Sequence, residues 1–420
     1  MWNIMKIRKI TRITNAILIL LWLLVGCVLD SSNPPRNGSS GVFEQEFLTV
    51  SPQTAHTENT RETEILSAST SGVTGTPAST STSPSVEAGR NPFLAGTPIP
   101  PEANAIQLSF VSKVDGSIST NWDLFIVNRD GSINRLTEGF RIIYYQWSPD
   151  GNEIAFVSSG YQGGELYIMN ANGSNLRQIT GYSGTQMDIS FDWSPDNKNL
   201  LLASQMKGNV DIYLIDVDSL EVTQVTHTIE IDEINPQWSP NGDQIIFTAK
   251  YVDKDDADIF LMDANGTNLK QLTNSPQYES LPKWSPDGSK VAYQLYESMN
   301  YQLWVMDQNG NNQRKLANTF VIDYTFPGDY AWSPDSQKIA FIPSPYFWVE
   351  IVDVVQGKIM QTPGVFEFTN QVRWHPNGKI IAFTGVRDWN MDIYLVDVMT
   401  MVSTQVTNHE ADQWFSEWRP

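Results

Sequence analysis

Basic residues and cysteine are the scarce components of this chain. Its 420 residues hold 27 Lys and Arg against 47 Asp and Glu, a formal charge of −20, and a single Cys. Nearly all of the negative charge falls in residues 105–420. Nucleic acid is thereby excluded as a partner, because affinity for phosphate backbones needs clustered Lys and Arg. One cysteine rules out an intrachain disulfide, so stability has to come from packing. The aromatics needed for a large core are present: 14 Trp, 18 Phe and 15 Tyr. Histidine is also sparse. His56, His227, His375 and His409 show no H-x-x-E-H-type spacing that would assemble a metal site. No G-x-S-x-G elbow occurs; the nearest string is GYSG at 181–184. A phosphate loop and a dinucleotide fingerprint are missing too. These gaps point away from an enzyme, and no catalytic residue, metal ligand or cofactor is assigned.

What is present begins with an export signal. Residues 1–26 carry Lys6, Arg8, Lys9 and Arg12, then a short apolar run from Ala16 to Val25. That run is short for a membrane span and typical of a signal peptide core. Leu24-Val25-Gly26-Cys27 follows and resembles the bacterial lipobox, in which the cysteine is lipidated and becomes the first residue after cleavage. The alternative is an uncleaved anchor; both place the remainder outside the cytoplasm. Residues 27–104 then show no apolar period, and 16 of the 19 residues from Ser67 to Ser85 are Ser, Thr, Pro or Gly. Such a segment cannot bury enough surface to offset its ordering entropy, so a disordered tether is expected. About 75 residues of coil reach on the order of 50 Å.

From residue 105 the chain repeats. WSPDG at Trp147 returns as WSPDN, WSPNG, WSPDG, WSPDS and WHPNG at Trp193, Trp238, Trp284, Trp332 and Trp374, and WRP closes the sequence at Trp418. The spacings are 46, 45, 46, 48, 42 and 44 residues, a period that denotes a propeller, solenoid or array. Each turn is followed by an apolar run such as EIAFVSS or NLLLASQ. A second run ends in Asp or Asn, as in DIYLID and DIFLMD. A third is short, as in RQIT or KQLT, and a fourth leads into the next Trp. Composition and Gly/Asn/Asp/Pro punctuation make these strands, and four strands per period make a propeller blade. One repeat is divided. IQLSFVS at 106–112 has no Trp turn before it, and Trp418 has no apolar run after it. Joining the two halves spares the array two raw edges. The expected fold is all-β: a single seven-bladed propeller over residues 105–420, closed by pairing Glu417–Arg419 beside Gln107–Val111.

The turn and the two runs after it resemble the TolB-type propeller repeat, which is also found in the noncatalytic propellers of prolyl oligopeptidase-like peptidases. The resemblance covers about residues 105–420. It implies a propeller in the bacterial envelope that binds a protein; TolB itself places an α/β domain before a six-bladed propeller and binds a peptidoglycan-associated lipoprotein. This chain has a tether in place of that domain, and one more expected blade.

The loops leading into the Trp strands are expected to converge at one channel mouth. They carry Asp188, Asp232, Glu233, Glu279, Asp323, Glu367 and Asp412, together with Tyr144, Tyr145, Tyr278, Tyr324, Phe366 and Trp414. Facing carboxylates would draw a cation or a basic segment, and aromatics beside them suit an interface. Solvated loops on an acidic protein are the alternative. Ca²⁺ at these loops would require about six to eight oxygens in close range. The expected function is a lipid-anchored, monomeric envelope scaffold for a protein or peptide. A glycan-binding or sensory surface protein, and a propeller hydrolase or lyase, are the other readings.

Overall fold

The computed structural model describes residues 107–420 apart from 114–120, 129–131, 161–162, 181–189, 206–207, 252–253, 255, 299, 320–329, 344–347, 363–365, 367, 389 and 409–411. All described residues belong to one compact unit, Val86–Pro420. The export signal, Cys27 and the whole of the tether lie outside the described residues.

Every regular element among the described residues is a β-strand, and the strands come in fours. Ile142–Trp147, Glu153–Gly160, Gly163–Asn170 and Arg177–Gln178 form one antiparallel sheet in that order. Further sets of four begin at Ser190, Ile231, Tyr278, Tyr330 and Phe368. A single parallel pairing, Ala257 with Tyr278, joins the sets that begin at Ile231 and Tyr278 into one eight-stranded sheet. The divided repeat is made whole. Gln413–Trp418 pairs with Leu108–Lys113, with Leu108 opposite Trp418 and Ser112 opposite Gln413, and Trp122–Val127 and Ile133–Arg135 complete the set. The strand is longer than the expected Glu417–Arg419. Arg419 lies just past it and still donates its N–H to the Gln107 carbonyl at 2.9 Å.

Local chemistry explains each turn. Ser148 Oγ donates to Asp150 Oδ1 at 2.7 Å and accepts the Glu153 N–H at 2.9 Å. Gly151 takes φ 69°, where a Cβ would be strained. The Ser–Asp or Ser–Asn bond recurs from Ser194, Ser239, Ser285 and Ser333 at 2.6–2.7 Å. In the WHPNG copy the His375 Nδ1 accepts the Asn377 N–H at 3.1 Å instead. The second strand of each set packs on both faces, which is why NLLLAS at Asn199–Ser204 runs apolar without alternation.

The seven repeat tryptophans are all buried, at 3–9% exposure. Five of the indoles stitch a set to the one before; the Nε1–H groups of Trp238 and Trp284 are buried without an acceptor. Trp332, Trp374 and Trp418 donate Nε1–H to the carbonyls of Lys283, Ala331 and Arg373 at 3.0–3.3 Å, in each case the residue before the preceding repeat Trp. Trp193 reaches the Gln146 carbonyl at 3.4 Å. Trp147 follows the same pattern with one hydroxyl interposed. It donates to Ser109 Oγ at 2.9 Å, and Ser109 donates to the Glu417 carbonyl at 3.0 Å.

Candidate functional site

The strands that end in the repeat Trp lie beside one another. Contacts join Gln413–Trp418 to Ile142–Trp147, Ser190–Trp193 to Ile231–Trp238, the latter to Tyr278–Trp284, Tyr330–Trp332 to Phe368–Trp374, and the latter to Gln413–Trp418. The residue before each Trp alternates to the face away from it. These residues are Gln146, Asp192, Gln237, Lys283, Ala331, Arg373 and Glu417, and all seven are half-buried. Their polar groups are largely committed to one another or to backbone. Gln146 Nε2 donates to Asp192 Oδ1 at 3.1 Å. Lys283 Nζ donates to the Tyr330 carbonyl at 2.7 Å and lies 4.5 Å from the Tyr330 ring centroid. Arg373 Nε meets Glu417 Oε1 at 2.6 Å. Sequence reasoning passed over this girdle. The signal was available, since each member immediately precedes a repeat Trp.

A second polar cluster sits where one set hands over to the next. In the third strand of several sets an acidic residue precedes the buried apolar run, and a Thr in the fourth run returns to cap it. Thr137, Thr180, Thr226, Thr273 and Thr407 Oγ1 accept the N–H of Leu124, Leu166, Ile212, Ile259 and Ile393 at 2.8–3.0 Å. Gln224 and Gln271 donate to Asp211 and Asp258 at 3.0 and 2.9 Å. Two of the expected mouth carboxylates join these clusters. Glu233 accepts from Thr228 at 2.7 Å and Thr226 at 2.9 Å. Glu279 accepts from Ser275 at 2.7 Å. Each also lies near an aspartate whose charge acts on it, Glu233 near Asp211 and Glu279 near Asp258.

Burial favours the protonated form of both glutamates. Glu233 and Glu279 are each 2% exposed. Desolvation pushes the Glu233 carboxyl up to about 8 against the threonine bonds, and the Asp211 charge adds to the rise. Glu279 rises for the same reason, with Asp258 as its charged neighbour. Stability is therefore expected to depend on pH in a definite sense. The folded protein binds protons that the unfolded chain releases at ordinary carboxylate values. The contribution is complete at low pH and is lost as pH rises through about 8. Thermal melts between about pH 5 and about pH 9 should show a falling Tm, and Glu233→Gln, which keeps the threonine bonds without a charge, should flatten the curve. An unchanged slope in that variant would contradict the assignment.

The remaining expected site residues separate. Tyr144 and Tyr145 are not at a mouth. They are 4% and 0% exposed, and Tyr145 shares a 3.0 Å hydrogen bond with Ser109. The two residues stay in regular register and point to opposite faces, and both faces are covered: Tyr144 meets the Phe191 ring at 5.0 Å, and Tyr145 lies against Ser109. Phe366 is likewise buried, edge-on to Phe383 and Tyr394 at 5.2 and 4.8 Å. Glu233 and Glu279 face their own clusters rather than solvent. Asp232 is half-buried and accepts the Val210 N–H at 2.9 Å. Tyr278 is half-buried at the start of its strand. Asp412 pairs with Lys113 at 2.9 Å. Trp414 contributes backbone opposite Val111; its side chain, and Asp188, Asp323, Tyr324 and Glu367, lie outside the described residues. His375 is buried against the Trp418 ring, and among the described residues no three His, Cys, Asp or Glu side chains gather as a metal site.

The profile of the TolB beta propeller domain matches residues 103–294 and 233–317, and the chain belongs to that family. An uncharacterized protein of Agrobacterium fabrum is 28% identical over 143 residues, 32% of this chain and 47% of its own. This chain spans about half or less of the length of the curated relatives it matches. Among solved structures, TolB from Acinetobacter baumannii aligns with a TM-score of 0.51 at 19% identity, over 76% of this chain and 67% of its own. Oligogalacturonate lyase from Vibrio parahaemolyticus aligns at 0.51 and 13% identity, over 72% and 85%. At these identities the likeness is one of fold.

Proposed function

We propose that residues 105–420 form a closed seven-bladed propeller, and that the protein is a lipid-anchored, monomeric scaffold of the bacterial envelope that binds a protein or peptide. Support for the ring comes from seven sets of strands, from packing or hydrogen bonds that join each to the next, Gln146 to Asp192 and Lys283 to Tyr330 among them, and from pairing of Gln413–Trp418 with Leu108–Lys113. The observation that carries the scaffold reading is the commitment of the girdle. Lys283, Arg373 and Glu417 are tied down as structural braces, so ligand recognition falls to the loops. Family membership agrees with this, because the TolB family includes envelope proteins. The mouth residues proposed for contact are Asp188, Asp232, Asp323, Glu367, Asp412, Tyr278 and Trp414.

Two experiments test the reading. Cys27→Ser should abolish lipid labelling and release the protein from the membrane fraction; retention and labelling in that variant would refute the anchor. The full chain, solubilised with mild detergent, should retain an envelope protein that is lost when Asp188 and Asp412 are changed to Asn. Capture of glycan alone would favour a glycan-binding surface protein. Turnover of a polysaccharide or peptide by the purified chain would favour the lyase or hydrolase that the fold also hosts.

A further inference from the structure

We propose that the cavity between the strands Ser190–Trp193 and Ile231–Trp238 binds one small monovalent cation, Na⁺ in size, through the Asp192 carboxylate and the Asn235 side-chain oxygen. The cavity has a volume of about 20 Å³, room for a single water-sized occupant. Tyr144, Ser190, Asp192, Asn235, Gln237 and Leu281 are among its walls. Two features give it a ligand preference.

The first is an unmet acceptor. Asn235 is 6% exposed, and its Oδ1 is buried without a hydrogen-bond donor. Its backbone sits at a bulge with φ 52°, and its N–H donates to Ser190 Oγ at 3.0 Å. The backbone of the residue is therefore tied to Ser190 while its amide oxygen is left unsatisfied. Gln146, whose Nε2 donates to Asp192, has a buried Oε1 in the same condition.

The second is an uncompensated charge. Asp192 accepts from Gln146 at 3.1 Å and from the Trp238 N–H at 2.8 Å, both neutral donors. No Lys or Arg pairs with it among the described residues, and the girdle's own cations are engaged with Tyr330 and Glu417. Asp192 is half-buried, and a carboxylate drawn out of water without a counterion is costly; that desolvation raises its carboxyl to about 6. A water molecule would satisfy Asn235 but not the charge. An anion is repelled. One carboxylate with amide oxygens is too little charge and too few ligands for Ca²⁺ or Mg²⁺.

The test uses the purified full chain at constant ionic strength, with NaCl replacing choline chloride stepwise. The proposal expects a saturable rise in Tm with Na⁺, a smaller rise with K⁺, and broadening of the ²³Na resonance. Asp192→Asn should abolish all three. Asn235→Gly keeps the positive φ accessible while removing the oxygen, and should weaken Na⁺ binding by about tenfold or more without loss of fold. This second variant decides the matter if Asp192→Asn fails to fold. Equal melting in Na⁺ and choline with no ²³Na broadening would overturn the proposal and leave a water site. So would saturation by Ca²⁺ that Na⁺ does not reproduce.

Discussion

Deleting residues 413–420 should abolish the cooperative unfolding transition, and Trp418→Ala should cost about 3–5 kcal/mol. The deletion removes the entire pairing partner of Leu108–Lys113 and exposes that strand's edge. It also removes Trp418, which is 6% exposed and bonded to the Arg373 carbonyl. Arg419 goes with it: its Nε donates to the Gly151 carbonyl at 2.8 Å and its guanidinium lies 5.5 Å from the Trp147 ring centroid. One short segment thus holds three sets of strands together. The point mutant alone would forfeit a large share of a domain's usual stability of about 5–15 kcal/mol. Urea denaturation followed by tryptophan fluorescence measures both. The decisive control returns residues 413–420 to a position ahead of Gln107 through a Ser-Pro-Asp-Gly-type turn. If set completion is what matters, that rearranged chain should fold. A deletion that melts like the full chain would mean the pairing contributes little.

Much of this was readable in advance because the repeat is redundant. The W-S-P-D-G string encodes its own turn: Ser148 and Asp150 bond each other, and Gly151 supplies the positive φ. The divided repeat was likewise legible as a count of strands. What failed was the inference of side-chain direction in the Trp strands. Alternation on a strand with one open face would send one of Tyr144 and Tyr145 out, but neighbouring sets cover both faces, through Phe191 and Ser109, and both are buried. Bulges recur at Asn235, Leu281 and Gln371, each with φ near 50°; asparagine tolerates that conformation, but nothing in composition marks a leucine or a glutamine for it. Glu233 and Glu279 were misread for another reason. A carboxylate in a loop is ordinarily solvated. Here the threonines of the VTHT and LTNS strings, together with Asp211 and Asp258, provide a buried destination that emerges only when third strand and following loop are brought together.

The girdle leads to the last prediction. Arg373→Met should destabilise the protein by about 3–5 kcal/mol, because it strands a buried charge. Arg373 and Glu417 are each 15% exposed and meet at 2.6 Å, and Arg373 also donates to the Val372 carbonyl at 3.0 Å. The arginine's removal leaves Glu417 among the buried Tyr144 and Tyr145 rings. The cost lies in that orphaned carboxylate rather than in the worth of the pair. Two consequences separate these possibilities. The variant should regain stability as pH falls, since an unpaired buried carboxyl takes up a proton in the folded state first. The double variant Arg373→Met/Glu417→Leu should recover most of the loss, giving a coupling energy that two independent losses would not produce. Additive losses in the double variant would instead show that each side chain acts through packing alone, and the ion pair would then be incidental to how neighbouring strands are held.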